Sequence, residues 1–256
     1  MKVLITNDDG IYSKGIYELY KSISKVAEVV VVAPIKEQSA VGHAITVKYP
    51  LRLHEVSRKG KFFGYGVEGT PADCVKLAFD DIITIKPDLV VSGINHGANL
   101  ASNVIYSGTV SAATEGAMLG VKSMAVSLAS IEYTDFTAAS DFAAFFAGFL
   151  YNLNDYHSNL IFNINVPPLE KDEIKGWKFT KQGKTRFMDA FEKRLDPRGN
   201  TYFWLKGEKT VVHRSQDCDD YLLEQGFVSV TPIKYDLTDY DLYEQLKNTE
   251  GGGEWK

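Results

Sequence analysis

Cysteine is nearly missing from this chain. Cys74 and Cys218 are the only two among 256 residues, and neither sits in a CxxC or metal-finger spacing. A disulfide framework is thereby set aside, and both read as reduced thiols. Positive charge is in deficit: 28 Lys and Arg stand against 33 Asp and Glu, for a formal net charge of -5. A protein that coats nucleic acid is normally basic, so that partner class is set aside too; a small anionic substrate is not, because local charge decides its binding. Long apolar runs are also missing. A signal peptide needs an apolar stretch of about 7–15 residues, and Val3-Leu4-Ile5 is all the N-terminus offers. The most apolar later stretch, Phe142 to Tyr151, falls short of the roughly 20 residues that span a bilayer. The expectation is a cytoplasmic protein with no membrane or nucleic-acid partner.

Several catalytic signatures are absent as well. No GxGxxG follows a strand, which disfavours NAD. Neither HExxH nor a GxSxG nucleophile elbow occurs. The Asp-x-Asp of aspartyl-phosphate phosphatases is missing after the first strand, where the acids are adjacent. Gly183-Lys184-Thr185 resembles the end of a P-loop, but Lys178 stands where the first glycine is needed.

What is present is a foldable α/β pattern. Hydrophobic residues make up 45% and charged residues 24%, enough apolar material for a sizeable core. Short β-rich runs at Val3–Ile5, Val29–Val32, Asp88–Ser92, Ser123–Leu128 and Leu160–Val166 alternate with helix-period segments. Tyr12, Ile16, Leu19, Tyr20 and Ile23 share one helical face, and Phe142, Phe145, Phe146, Phe149 and Leu150 repeat at helical spacing as core packing. Alternating β and α units imply a Rossmann-like, mostly parallel sheet flanked by helices. His43–Val56 and Lys61–Val67 read as a hairpin or side sheet. After Pro168 the rhythm fades; Lys175–Thr185 and Thr201–Val212 read as extended segments, Asp239–Asn248 as a short helix, and Gly251-Gly252-Gly253 as a tail. The expected organisation is a Rossmann-like catalytic domain over 1–174 and a C-terminal extension over 175–256, a β-hairpin or arm region that completes the fold and mediates oligomerisation.

Five polar clusters carry the chemistry. Thr6-Asn7-Asp8-Asp9-Gly10 follows the first strand, where open α/β sheets bind ligands. Adjacent carboxylates repel unless a cation offsets the charge, and Mg²⁺ or Mn²⁺ favours such oxygen ligands; an Asp-Gly turn with Asp9 capping the next helix explains the pentapeptide equally well. Ser92 to Asn99 follows a buried strand and offers the Asn95 carbonyl and the His96 imidazole. Tyr106-Ser107-Gly108-Thr109 runs into an alanine-rich helix, so free N–H groups and the helix dipole would favour phosphate there; plain capping by Ser107 or Thr109 coexists with that. Thr70-Pro71-Ala72-Asp73 is a helix start. In Ala33-Pro34 to Gly42, Ser39 taken alone is an ordinary loop residue.

Together, in order and spacing, these segments resemble the survival protein E (SurE) family of 5′/3′-nucleotidases. Gly226 to Pro232 resembles the family's C-terminal segment, so the likeness covers nearly the whole chain. The resemblance implies a divalent metal, Mg²⁺ or Mn²⁺, on Asp8, Asp9, Ser39 and Asn95, which changes the reading of Ser39. It implies a phosphate-facing loop at Ser107, Gly108 and Thr109, beside which Asn7 is a further candidate phosphate contact, and hydrolysis of nucleoside 5′- or 3′-monophosphates, with short polyphosphate a further substrate of some members. It implies a homodimer or homotetramer joined through C-terminal segments. The chain departs from the pattern at Ser13-Lys14-Gly15, where many relatives carry a smaller, proline-containing stretch. His96 is a candidate proton donor to the leaving nucleoside. A nucleotide-dependent transferase and a non-catalytic nucleotide-binding module are the rival functions. The twelve aromatics from Trp177 through Tyr243 point to an exchanged arm, the alternative being a satellite core packed on the parent domain.

Overall fold

The computed structural model describes residues 1–153, 159–210 and 215–247, with side chains for all of these except 186–189 and 208–210. Val211, Val212, Asn248, the Gly251 to Gly253 tail and the Phe187 side chain lie outside the described residues.

A nine-stranded sheet forms the centre, in the order β3-β4-β2-β1-β5-β6-β7-β11-β8. Its strands are β1 (Lys2–Thr6), β2 (Glu28–Pro34), β3 (Leu53–Arg58), β4 (Lys61–Val67), β5 (Leu89–His96), β6 (Lys122–Leu128), β7 (Ile161–Val166), β8 (Trp177–Phe179) and β11 (Val228–Ile233), with the ribbon β9 (Arg186–Leu195) and β10 (Thr201–Thr210) outside the sheet. The run from β4 through β7 is parallel; β3 and β11 pair antiparallel to β4 and β7. The Rossmann-like reading therefore stands. The strands are short and rich in valine and isoleucine because helices cover both faces.

On one face α1 (Lys14–Ile23) packs against α4 (Thr137–Tyr151); on the other α2 (Pro71–Leu77) packs against α3 (Gly108–Met118). In α1, Ile16, Leu19 and Ile23 are fully buried, each contributing about 1.5–3 kcal/mol by burial. Tyr12, expected on that face, lies before the helix and is exposed, because Ser13 caps the helix by accepting from Ile16 N–H. In α4, Phe146 is buried while Phe145 is exposed, so the phenylalanine face is core packing with one residue outside it. Thr70 and Asp73 form a reciprocal capping box with Pro71 in the first turn of α2.

One expectation is corrected, and two motif exclusions gain a structural reason. The strand expected from His43 begins only at Leu53. Ile45, Val47 and Tyr49 are exposed, and Thr46 N–H donates to the Asp73 carboxylate at 3.0 Å. Gly64-Tyr65-Gly66-Val67-Glu68-Gly69 does spell GxGxxG, but Gly64 and Gly66 lie inside β4. A Cβ there would come within 2.5 Å of Val31 O and Ile35 Cδ1, so these glycines serve packing. Gly183-Lys184-Thr185 leads into β9 rather than a helix, and Gly183 N–H donates to Asp219.

β11, beyond residue 174, pairs with β7 and adds a strand to the central sheet. Trp177 packs against Phe142, Phe145, Phe146 and Phe149 of α4, so part of the late aromatic set belongs to the central core. β9 and the short helix α5 (Asp219–Glu224) were not anticipated. A two-stranded ribbon buries neither face fully, so its sequence keeps no clean alternation. The final helix, α6 (Tyr240–Leu246), falls within the expected span.

Candidate active site

The parallel strands change direction of succession between β1 and β5: β2 and β4 lie on one side, β6 and β7 on the other. Loops leaving neighbouring strands at such a switch point diverge and open a crevice beyond the carboxyl ends. Here it is a cleft of about 1310 Å³, lined by Asp8 and Asp9 after β1, Glu37 and Ser39 after β2, Asn95 and His96 on β5, and Ser107 at the start of α3. Asn95 and His96 were expected in a loop. They lie instead on the end of the strand, past a register irregularity between Gly93 and Asn95.

Asp8 is only 5% exposed. Burial pushes its carboxyl above the ordinary range, against hydrogen bonds from the Thr109 hydroxyl and N–H. Asp9 is pushed up to about 6, first by burial and then by the charge of Asp8, while the His96 N–H, 3.1 Å from Oδ2, pulls the other way. Glu37 adds repulsion to both. Gly10, at φ +92, turns the chain beside the pair, and a Cβ there would crowd Lys36 C at 3.3 Å.

Among the described residues no three His, Cys, Asp or Glu side chains form a metal-binding group. A cation would therefore draw on the two carboxylates and on neutral oxygens. The Asn95 amide nitrogen donates to Gly97 O at 2.7 Å, which leaves its carbonyl oxygen as the acceptor. Ser39 Oγ faces the same cleft and donates to Glu37 at 2.5 Å. This donor set fits Mg²⁺ or Mn²⁺, which take oxygen ligands and keep several waters. It lacks the imidazole and thiolate ligands that zinc favours.

Two residues expected at the phosphate make their hydrogen bonds within the protein. Asn7 is fully buried, and its amide donates to Gly10 O at 3.0 Å and Ser13 Oγ at 2.9 Å. It braces the loop that carries the aspartates and has no hydrogen left for a phosphate. Thr109 is also fully buried, and its hydroxyl donates to Asp8 Oδ1; a desolvated carboxylate beside it is the strongest acceptor available. Gly108 permits that contact, since a Cβ there would stand 2.8 Å from Asp8 Cβ. Ser107 caps α3 by accepting from Val110 N–H at 3.1 Å, so its own hydroxyl hydrogen remains for a ligand. His96 donates from Nε2 to Tyr133 O at 3.0 Å and rests against the Phe136 ring. Glu37, Lys14 and Tyr106 also line the cleft. Lys14 and Tyr106 stand in stretches singled out in the sequence without a role for either side chain; Glu37 was missed, and position just past a strand end was its signal.

A family model described as "Survival protein SurE" matches residues 3–189. The chain is similar to the protein named 5'-nucleotidase SurE from Natranaerobius thermophilus, at 49% identity over 258 residues, covering 98% of this chain and 99% of the relative. It is similar to the protein of the same name from Syntrophus aciditrophicus, at 49% identity over 248 residues, covering 96% and 93%. Among solved structures it is similar to the crystal structure of the Sure protein from Aquifex aeolicus, with a TM-score of 0.85 and 38% identity, covering 98% of this chain and 100% of that one. With likeness this close along nearly its whole length, the chain belongs to the survival protein SurE family.

Proposed function

We propose that the protein is a divalent-metal-dependent phosphomonoesterase that hydrolyses nucleoside 5′-monophosphates, and with them 3′-monophosphates and short polyphosphate, to release inorganic phosphate. The observation that carries this reading is the abutment of the Asp8-Asp9 pair on the start of α3. It sets a hard-cation site against a helix terminus suited to phosphate. The relatives' name, 5'-nucleotidase, points the same way.

Asp8, Asp9, Ser39 and Asn95 would hold Mg²⁺ or Mn²⁺, which when bound supplies Lewis acidity toward a phosphate oxygen. The Ser107 hydroxyl and the free N–H of Gly108 donate to the remaining oxygens and stabilise charge that grows there. Thr109 orients Asp8. Water rather than Asp8 attacks phosphorus, because Asp8 already accepts from Thr109 and would serve the cation, both of which lower its nucleophilicity. With Nε2–H on Tyr133 O, the Nδ1 lone pair of His96 remains for the reaction; as the imidazolium, with the proton taken from the attacking water or solvent held on Nδ1, it would pass that proton to the leaving nucleoside oxygen.

The working protein is a cytoplasmic homodimer or homotetramer that exchanges the arm from Lys175 onward. Phe191, Phe203, Trp204 and Leu205 on the β9–β10 ribbon are between 58% and 67% exposed in the single chain, and apolar surface of this kind marks a contact. Truncation after Tyr235 should dissociate or destabilise the assembly, whereas intact protein that is monomeric at micromolar concentration removes the oligomer.

The test of function is a panel of nucleoside 5′- and 3′-monophosphates with Mg²⁺, Mn²⁺ or EDTA. Phosphate release that requires the metal is expected. Release undiminished in EDTA, or no release from any nucleotide, refutes the reading.

A further inference from the structure

The charge in the cleft is mostly of one sign. Asp8, Asp9 and Glu37 are acidic, and Lys14 is the one lysine or arginine among the described residues that line it. Lys14 opens α1, whose first turn contains no acidic residue. The positive end of a helix dipole is an unfavourable place for a cation, and local rules tend to be broken where function requires it.

The partners of Lys14 are neutral. Nζ donates to Thr134 O at 2.7 Å and lies 5.9 Å from the Phe136 ring centroid. Asp135 is near enough to feel the charge, but its carboxyl is held low first by Thr137, which donates its hydroxyl at 2.6 Å and its N–H at 2.8 Å. An ammonium has three hydrogens, so two remain for a ligand.

Topology separates Lys14 from the reacting phosphate. α1 lies on the face of the sheet that it shares with α4, and α3 lies on the opposite face with α2. Ser107 and Lys14 therefore enter the cleft from opposite faces, with the ends of β1 and β5 between them. A substrate whose reacting phosphate lies against Ser107 presents its far end toward Lys14.

We propose that Lys14 is a specificity-determining residue that recognises a second phosphate group, so that nucleotides carrying two separate phosphates, such as nucleoside 3′,5′-bisphosphates, are preferred over monophosphates of the same base. The proposal rests on the phosphomonoesterase reading of the cleft. A lysine suits the task because its ammonium is a mobile point charge, held ready by a carbonyl that a phosphate can supplement or replace.

The test compares wild type, Lys14→Met, which keeps most of the aliphatic stem, and Lys14→Arg, which keeps the charge. Each is assayed for kcat/KM and for equilibrium binding with a nucleoside 5′-monophosphate and the 3′,5′-bisphosphate of the same base. Lys14→Met should lose at least about tenfold more on the bisphosphate than on the monophosphate, a difference worth about 1.4 kcal/mol, and Lys14→Arg should restore most of it. Equal losses on both ligands, or no loss on either, overturn the proposal. If wild type hydrolyses neither nucleotide, the phosphomonoesterase reading fails by itself, and the binding ratio between the two ligands still decides the role of Lys14.

Discussion

The molecule contains two pairs of adjacent, largely buried aspartates, and they are held in opposite ways. Asp219 is fully buried at the start of α5 and receives N–H groups from Ala101 at 3.1 Å, Gly183 at 2.9 Å and Asp220 at 2.7 Å. Asp220 accepts the Thr185 hydroxyl. The burial that raises the Asp219 carboxyl is opposed by those three donors. Asp8 and Asp9 face a cleft instead, with Thr109 and the His96 N–H as donors and Glu37 as a further negative charge. The first pair has its countercharge in backbone N–H groups and ties the root of the β9–β10 ribbon to the loop at Ala101. The second is left with negative charge that a hard cation would offset. The residue pair does not decide between anchor and site; the donors around it do.

The sharpest way to break this comparison is to neutralise each pair in turn. Asp8→Asn should lower turnover by roughly 10²–10³-fold or more, the range that follows loss of one transition-state electrostatic group, with the circular dichroism spectrum unchanged. Full activity would remove Asp8 from the site. Asp219→Ala should act on stability instead. It leaves several buried N–H groups without an acceptor and should cost about 3 kcal/mol or more in chemical denaturation. A variant as stable as the parent would show that the pair is no anchor.

Thr109→Val sharpens the contrast within the active site. Loss of a hydrogen bond to a charged group is worth about 1.5–3 kcal/mol, so kcat/KM should fall by roughly 10–150-fold, with metal affinity falling too. Metal affinity unchanged while nucleotide affinity drops would return Thr109 to the phosphate. The smallest effect is on stability without metal. Burial and the neighbouring Asp8 charge push the Asp9 carboxyl up to about 6 in the folded chain, against 3.8 for an ordinary carboxyl. An acid raised in this way stabilises the fold fully only below its unfolded value, and that contribution is lost as pH rises through about 6. Asp9→Asn carries no charge at any pH. In EDTA at about pH 8 it should therefore be more stable than the parent by about 1–3 kcal/mol, and the gap should close near about pH 4. A gap that does not vary with pH would contradict the shift.

Both pairs are two letters in the sequence, and only one drew notice there. Asp8-Asp9 was legible because it follows Val3-Leu4-Ile5, a recognisable buried strand, and strand ends in open α/β sheets form sites. Asp219-Asp220 precedes one short helical turn and has partners at 101, 183 and 185, contacts that periodicity does not encode. The parallel sheet was legible for the same reason as the first site: strands buried on both faces are uniformly apolar. The ribbon β9–β10 was read only in part, because it has no fully buried face to impose alternation. Ser39 was visible only through family resemblance. The acceptors that Asn7 and Thr109 reach were not legible, because sequence locates a side chain on an element and does not say which acceptor it will meet.

The central claim is that the cleft pair holds a hard cation while the anchor pair does not. Calorimetric titration of Mn²⁺ into metal-free protein tests it most directly, with Asp8→Asn and Asp219→Asn alongside wild type. The account predicts one ion per chain for wild type and for Asp219→Asn, and affinity weakened by about 10²-fold in Asp8→Asn, where charge is lost from the coordinating pair. Equal binding by wild type and Asp8→Asn, or loss of the ion in Asp219→Asn alone, would contradict it.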